Sequence, residues 1–133
     1  MSFRALLKKY DSLADLLLDK DLAALGDSYI NFVYSLAMSQ KTGHPMGVKV
    51  GNQTLAEAVA KSGLRSYLPH RVDRHARGNA AEALFAYVWL KGLLDLDDCV
   101  RVLSREDDAV VAFTGLIKTV LKKMGVADEH SNR

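Results

Sequence analysis

The sequence predicts an all-α protein, a single domain of roughly six or seven helices over residues 1–133. Apolar residues recur at steps of three and four along nearly the whole chain, which is the period of helices that bury one face. Glycine and acidic or hydroxyl residues interrupt this pattern at intervals, as helix caps do. Only the segment 48–50 hints at a strand, and it is too short to predict a sheet. A chain of 133 residues is long enough for one hydrophobic core.

The composition is that of a globular protein, with 49% hydrophobic and 26% charged residues, which excludes a disordered chain. The longest apolar run, residues 83–90, is far shorter than the ~20 residues that span a bilayer. The first residues show no secretory signal. Cys99 is the single cysteine, so no internal disulfide forms. We therefore expect a cytoplasmic protein without a membrane partner.

The first two helices are predicted from periodicity alone. A stripe of apolar residues from Phe3 to Leu17 predicts one amphipathic helix, and the stretch from Leu22 to Met38 predicts a long second helix. The segment 40–47 contains glycine and proline and predicts a loop.

The later helices are predicted from caps as well as periodicity. Thr54 and Glu57 have the spacing of a capping box, and Gly63 suits a C-terminal cap, so together they bound a third helix. Residues 66–78 predict a polar, basic connection. Further helices are predicted before a tail that we expect to be frayed from about residue 126: Asn79–Leu90, one that begins near Asp95, and Glu106–Lys123.

Positive charge is concentrated in the middle of the chain. Residues 41–78 contain seven basic and two acidic residues, whereas the other residues contain 11 basic and 14 acidic ones. A basic segment in an otherwise mildly acidic protein suits a polyanionic partner. A solvated basic loop gives the same composition, and on composition alone both interpretations remain open.

Two carboxylates lie alone in apolar surroundings. Asp27 is the only charged residue in 22–40, and Glu82 is the only one in 79–90. A buried lone carboxylate costs several kcal/mol unless it has a cation, donors or a proton. A divalent metal ion between them would meet that need, and oxygen ligands favour Mg²⁺ or Mn²⁺ over Zn²⁺. Two alternatives remain open: Asp27 as a helix N-cap, and Glu82 bound to first-turn amides or to an arginine.

Other common sites are not indicated. His70 and His75 lack a second ligand pair for zinc, and Cys99 has no neighbouring histidine that would make it a nucleophile. The glycines of residues 43–51 lack the strand-then-helix setting of a phosphate-binding loop.

Three segments together resemble the ribonuclease III family. Residues 22–28 (LAALGDS) resemble its signature helix, E-x-x-E-F-L-G-D-[AS], and residues 50–56 (VGNQTLA) resemble its V-x-N-x-T-L-A segment. Residues 79–84 (NAAEAL) resemble its D-x-x-E-A-L helix, with the aromatic and apolar continuation at 87–90. The three segments occur in the family's order and cover about residues 15–95.

The resemblance implies an all-helical homodimer in which each subunit gathers acidic side chains around Mg²⁺. The ion activates water to attack a phosphodiester of double-stranded RNA. Carried over by position, Asp27 is the signature aspartate and Glu82 the helix glutamate, and both are implied to be catalytic metal ligands. Asn79, at the position of the second helix's aspartate, is a neutral helper ligand. Mn²⁺ is the expected substitute for Mg²⁺.

The chain departs from the family pattern at several acidic positions. Lys20 and Ala23 stand where the signature has glutamates, and residues 28–56 contain no Asp or Glu. A single-domain form of the family, mini-ribonuclease III, keeps mainly the Asp and Glu. The resemblance therefore implies an endoribonuclease for double-stranded or structured RNA, such as precursors of ribosomal or transfer RNA. The alternative is a catalytically inactive RNA-binding or ribosome-associated scaffold.

The same resemblance assigns two surfaces. The basic segment is expected to contact RNA phosphates through six residues: Arg71, Arg74, Arg77, Lys41, Lys49 and Arg65. The signature helix is expected to form the homodimer interface through an apolar stripe: Leu22, Leu25, Tyr29 and Phe32. The alternative for this stripe is the core of the subunit itself.

Overall fold

The computed structural model describes residues 2–126, and these contain helices but no strand, so the predicted all-α class is confirmed. Two short 3₁₀ turns, Phe3–Leu6 and Leu64–Tyr67, accompany the α-helices. The predicted frayed tail lies almost entirely outside the described residues. The helices in chain order are α1 (Leu13–Leu17), α2 (Lys20–Thr42), α3 (Asn52–Ser62), α4 (Arg74–Lys91), α5 (Leu96–Ser104) and α6 (Ala109–Lys123).

The two longest helices, α2 and α4, pack directly against each other and form the centre of the fold. Their backbones come into contact at Gly26, where a Cβ atom would lie 1.8 Å from the backbone oxygen of Glu82. Glycine is therefore required there by the contact between the two backbones. Because Asp27 follows Gly26, this crossing also brings Asp27 next to Glu82.

The remaining helices cover the central pair. Helix α3 packs on α4 and α6, α5 packs on α2 and α6, and α1 packs on α4. Ile30, Val33, Leu84, Phe113 and Ile117 are fully buried at their contacts. In the described part of the chain, no helix is both long and apolar enough to cross a membrane.

The prediction of one helix from Phe3 to Leu17 is wrong. The segment forms a 3₁₀ turn and the short α1, and Phe3 and Leu6 are 56% and 61% exposed. The cause is local capping. The Ser12 side chain accepts a hydrogen bond from the backbone N–H of Asp15 and begins α1, and the Asp19 side chain begins α2 in the same way.

The capping box predicted at Thr54 is also wrong. The N-cap of α3 is Gly51, three residues earlier, which places Thr54 inside the first turn. The predicted end of α3 is confirmed, because Gly63 has a φ of +88°, a left-handed conformation that favours glycine.

The predicted basic connection is shorter than expected. The Asp73 side chain accepts a hydrogen bond from the Ala76 N–H, so α4 begins at Arg74, and both Arg74 and Arg77 lie on the helix. Helix α4 ends at Lys91, one residue beyond the predicted Leu90, with Gly92 as its C-cap.

The last two helices follow the prediction closely. Asp95 caps α5 through a reciprocal capping box with Asp98. Helix α6 begins at Ala109 rather than Glu106, because the Asp108 side chain caps it.

Residues 46–50, which we call the strap, are extended but pair with no strand among residues 2–126. They run back along α2, and polar side chains of α2 bind their backbone. Four helical residues rise about 6 Å, and two extended residues rise about 6.6 Å, so the two periods match. Each α2 side chain accepts a hydrogen bond from an alternate strap N–H: Asn31 from Val50 at 2.7 Å, Ser35 from Val48 at 2.9 Å and Ser39 from Met46 at 3.0 Å.

Candidate active site

A cavity of about 560 Å³ opens between α2, α4 and the start of α3. All three predicted metal ligands, Asp27, Asn79 and Glu82, line it. The structure therefore brings together residues that are far apart in sequence. The other lining residues are Lys20, Ala23, Ala24, Val50, Asn52 and His75.

Glu82 is the buried acidic group of this cavity, with 7% of its surface exposed, whereas Asp27 is exposed. Burial, together with the hydrogen bond and negative charge of Asp27, raises the pKa of Glu82 to about 8. In the described residues no basic side chain forms an ion pair with Glu82. Without a cation, Glu82 therefore retains its proton near neutral pH.

The alternative roles for these carboxylates are excluded by their positions. Asp27 lies well inside α2, whose N-cap is Asp19, so Asp27 is not a helix cap. Glu82 lies in the middle of α4, so it does not accept hydrogen bonds from first-turn amides.

Asn31 holds the Asp27 carboxylate from one turn further along α2. The Asn31 Nδ2 donates to Asp27 Oδ1 at 3.0 Å and to the Asp27 backbone oxygen at 2.8 Å. Asn31 was not predicted, because an uncharged residue in an apolar helix does not identify itself as a site residue until its contact with the strap is known.

The donor set fits a hard divalent cation. Asp27 and Glu82 offer carboxylate oxygens and Asn79 an amide oxygen, the ligands that Mg²⁺ prefers. No group of three or more His, Cys, Asp or Glu side chains suited to a metal occurs within residues 2–126. One or two carboxylates with retained waters is a common way for proteins to hold Mg²⁺. A dication would also stabilise the ionised form of the buried Glu82 carboxyl beside Asp27.

Two basic residues also line the cavity, and neither was among the predicted site residues. Lys20 precedes Asp27 by seven residues on α2, and His75 precedes Glu82 by seven on α4. Seven residues are about two helical turns, so each basic residue shares a helix face with a carboxylate. Both residues lie outside the helices that the sequence predicts, so this spacing gave no signal before the helix bounds were known.

Asn52 reaches the same cavity from the start of α3. Its side chain packs against Gly78, where a Cβ atom would lie 2.2 Å from Asn52 Nδ2. The motif at residues 50–56 already singled out this asparagine, but without a role.

Three of the residues predicted to contact RNA lie at or near the N-terminal end of α4. Arg71 and Arg74 are exposed on either side of Asp73, close in sequence to His75. Arg77 is half-buried, and its Nε is buried without a hydrogen-bond partner in the part of the chain that the structure describes.

The other three have different surroundings. The Arg65 guanidinium donates to the carbonyl oxygens of residues 68–70 and so braces the connection before α4. Lys41 lies about 21 Å along α2 from Asp27, where its Nζ donates to the Glu106 carbonyl at 2.6 Å. Lys49 is exposed on the strap.

The four residues predicted for the dimer interface divide into two pairs. Leu25 and Phe32 are 41% and 56% exposed on α2. Leu22 is buried in the subunit's own core. Tyr29 packs on Trp89 at a ring distance of 5.5 Å, and its hydroxyl donates to Cys99 Sγ. Leu25 and Phe32 are thus the pair available to a second copy.

Comparison with known proteins gives one informative match. A family model described as Ribonuclease III matches residues 20–130. The match begins at the first residue of α2, so it includes every residue that lines the cavity. Comparison with curated proteins gives no match.

Proposed function

Since this chain belongs to the ribonuclease III family, whose members act on double-stranded RNA, we propose that it is a metal-dependent endoribonuclease. It hydrolyses phosphodiester bonds in double-stranded or structured RNA, such as precursors of ribosomal or transfer RNA. The observation that carries this proposal is the buried carboxyl of Glu82, which lies beside Asp27 in an open cavity with no basic partner in the described residues. A fold does not need such a pair, but a site for a divalent cation does.

Asp27 and Glu82 hold Mg²⁺, or Mn²⁺ as its substitute, and Asn79 contributes a neutral oxygen. When bound, the ion lowers the pKa of a coordinated water and neutralises charge on the scissile phosphate. No side-chain nucleophile is required. Because Asn79 carries no charge, this site binds the ion more weakly than one with a third carboxylate.

Basic residues at the rim of the cavity bind the RNA backbone. The carboxylates repel a phosphate, and the Lys20 ammonium group offsets that repulsion from the start of α2. Arg71 and Arg74 extend the positive surface along the start of α4. Contacts of this kind read the shape and phosphates of double-stranded RNA rather than its sequence, and they weaken as salt rises.

The active form is a homodimer that uses the exposed face of α2. Leu25 and Phe32 lie on that face, separated by two turns. Trp89 stacks with Phe3 and packs at a tilt against Tyr29, so the exposed Phe3 adjoins the same surface. A two-fold axis beside α2 would cover these side chains with their own copies.

A cleavage assay tests the proposal against an inactive RNA-binding scaffold. The protein is incubated with a uniform double-stranded RNA in Mg²⁺, in Mn²⁺ and in EDTA, and binding is followed in parallel by fluorescence anisotropy. We expect cleavage with either metal ion, none in EDTA, and products with 5′-phosphate ends. Equal binding in all three conditions without cleavage would contradict the enzyme and favour the scaffold.

A further inference from the structure

The side chain of Asn31 joins the Asp27 carboxylate to the strap. Its Nδ2 donates to Asp27 Oδ1, and its Oδ1 accepts from the Val50 N–H at 2.7 Å. We propose that Asn31 is a positioning residue that fixes the Asp27 carboxylate for metal binding. This inference rests on the proposed function, because it assumes that Asp27 is a metal ligand.

The strap determines which way the Asn31 amide points. The backbone N–H of Val50 is a donor only, so the amide oxygen must face it. The amide nitrogen is thereby directed at Asp27, where it donates to one carboxylate oxygen. Without this contact the exposed Asp27 side chain would be free to turn to other rotamers and away from the cavity.

The strap also carries the chain into the cavity. Val50 is the last residue of the strap and Asn52 lies two residues further on, and both line the cavity. Asn31 thus stands at the point where the strap, α2 and the site meet.

Ser35 provides a matched control one turn away. Its Oγ accepts from the Val48 N–H at 2.9 Å and donates to the Val48 carbonyl at 3.1 Å. It anchors the same strap by a bond of the same kind but does not touch Asp27. A change at Ser35 therefore loosens the strap, whereas a change at Asn31 also releases the carboxylate.

The test measures Mn²⁺ binding to the free protein by isothermal titration calorimetry, without RNA. We compare wild type, Asn31→Ala, Asn31→Leu (which keeps most of the side-chain volume) and Ser35→Ala, each below its melting temperature. Loss of a group that orients a metal ligand typically weakens binding by about 10–100-fold. We expect that loss in both Asn31 variants, and a change of no more than about twofold in Ser35→Ala.

The outcomes separate this inference from the proposed function. If wild type binds Mn²⁺, Asp27→Asn abolishes binding and the Asn31 variants bind as wild type does, the positioning role is wrong and the metal site stands. Equal weakening in Ser35→Ala and the Asn31 variants would also overturn the role, because strap anchoring would then explain it. If wild type binds no Mn²⁺ at millimolar concentration, the proposed function fails and the inference fails with it.

Discussion

Glu82 occupies a position that lowers the folding stability of the metal-free protein. Its carboxyl is buried against Asp27, and its pKa is raised to about 8. The folded state therefore holds the proton more tightly than the unfolded state, in which the pKa is near the ordinary value of 4.5. Below that value both states are protonated and folding costs nothing extra. The loss in free energy of unfolding grows as the pH rises towards 8, where Glu82 ionises in the folded state as well.

We predict that the metal-free protein loses stability between about pH 5 and pH 8, and that Glu82→Gln loses less. Each unit of pKa difference corresponds to about 1.4 kcal/mol, and glutamine carries no titrating charge. Urea unfolding in EDTA at several pH values measures this. The variant should be the more stable protein at pH 8, and added Mg²⁺ should stabilise wild type only. A constant stability difference across this pH range would contradict the prediction.

Site residues that carry an isolated charge in an apolar segment could be predicted from the sequence. Asp27 and Glu82 could be predicted because a carboxylate in an apolar helix needs a reason to be there. Lys20, His75 and Asn31 could not, because their proximity depends on where α2 crosses α4 and on where the strap lies. Residues within one helix reveal a shared face, but not which neighbour that face meets.

Helix ends that are capped by a residue of the same turn could be predicted from the sequence. Hydrogen bonds between segments that are distant along the chain could not. Asp95 and Gly63 act on their own turns, and both mark boundaries that the sequence predicts. Residues 48–50 of the strap hinted at a strand because Val48 and Val50 are β-branched. Its bonds go to side chains 7–19 residues earlier on α2, which no local pattern reveals.

The crossing of α2 and α4 gives a prediction at the scale of these elements. In Gly26→Ala the new Cβ would meet the Glu82 backbone oxygen, so the helices must separate, at a cost of about 1–3 kcal/mol or more. Gly115 on α6 is the matched control, because a Cβ there meets nothing within 4 Å. Gly115→Ala should be neutral, or stabilising by up to about 1 kcal/mol through helix propensity. Urea unfolding of both variants measures the difference, and equal stabilities would refute the close crossing.

For the whole molecule, the dimer makes the next prediction. Phe32→Glu places a charge on the exposed face of α2 and should shift a dimer to monomers, because a carboxylate would be buried opposite its copy. Val111→Glu is the control, since Val111 is comparably exposed but lies on α6. Sedimentation velocity at tens of micromolar measures both. Wild type that sediments as a monomer would contradict the proposed interface.

The central claim is that Asp27 and Glu82 hold the ion that cleaves RNA. Its most direct test is the single-turnover cleavage rate of double-stranded RNA in Mg²⁺, compared between Glu82→Gln and Glu57→Gln. Glu57 is an exposed glutamate on α3 that does not line the cavity, so its change should leave the rate within about twofold. Glu82→Gln should lower the rate by at least about 100-fold while RNA binding remains. Cleavage by Glu82→Gln at the rate of Glu57→Gln would contradict the account.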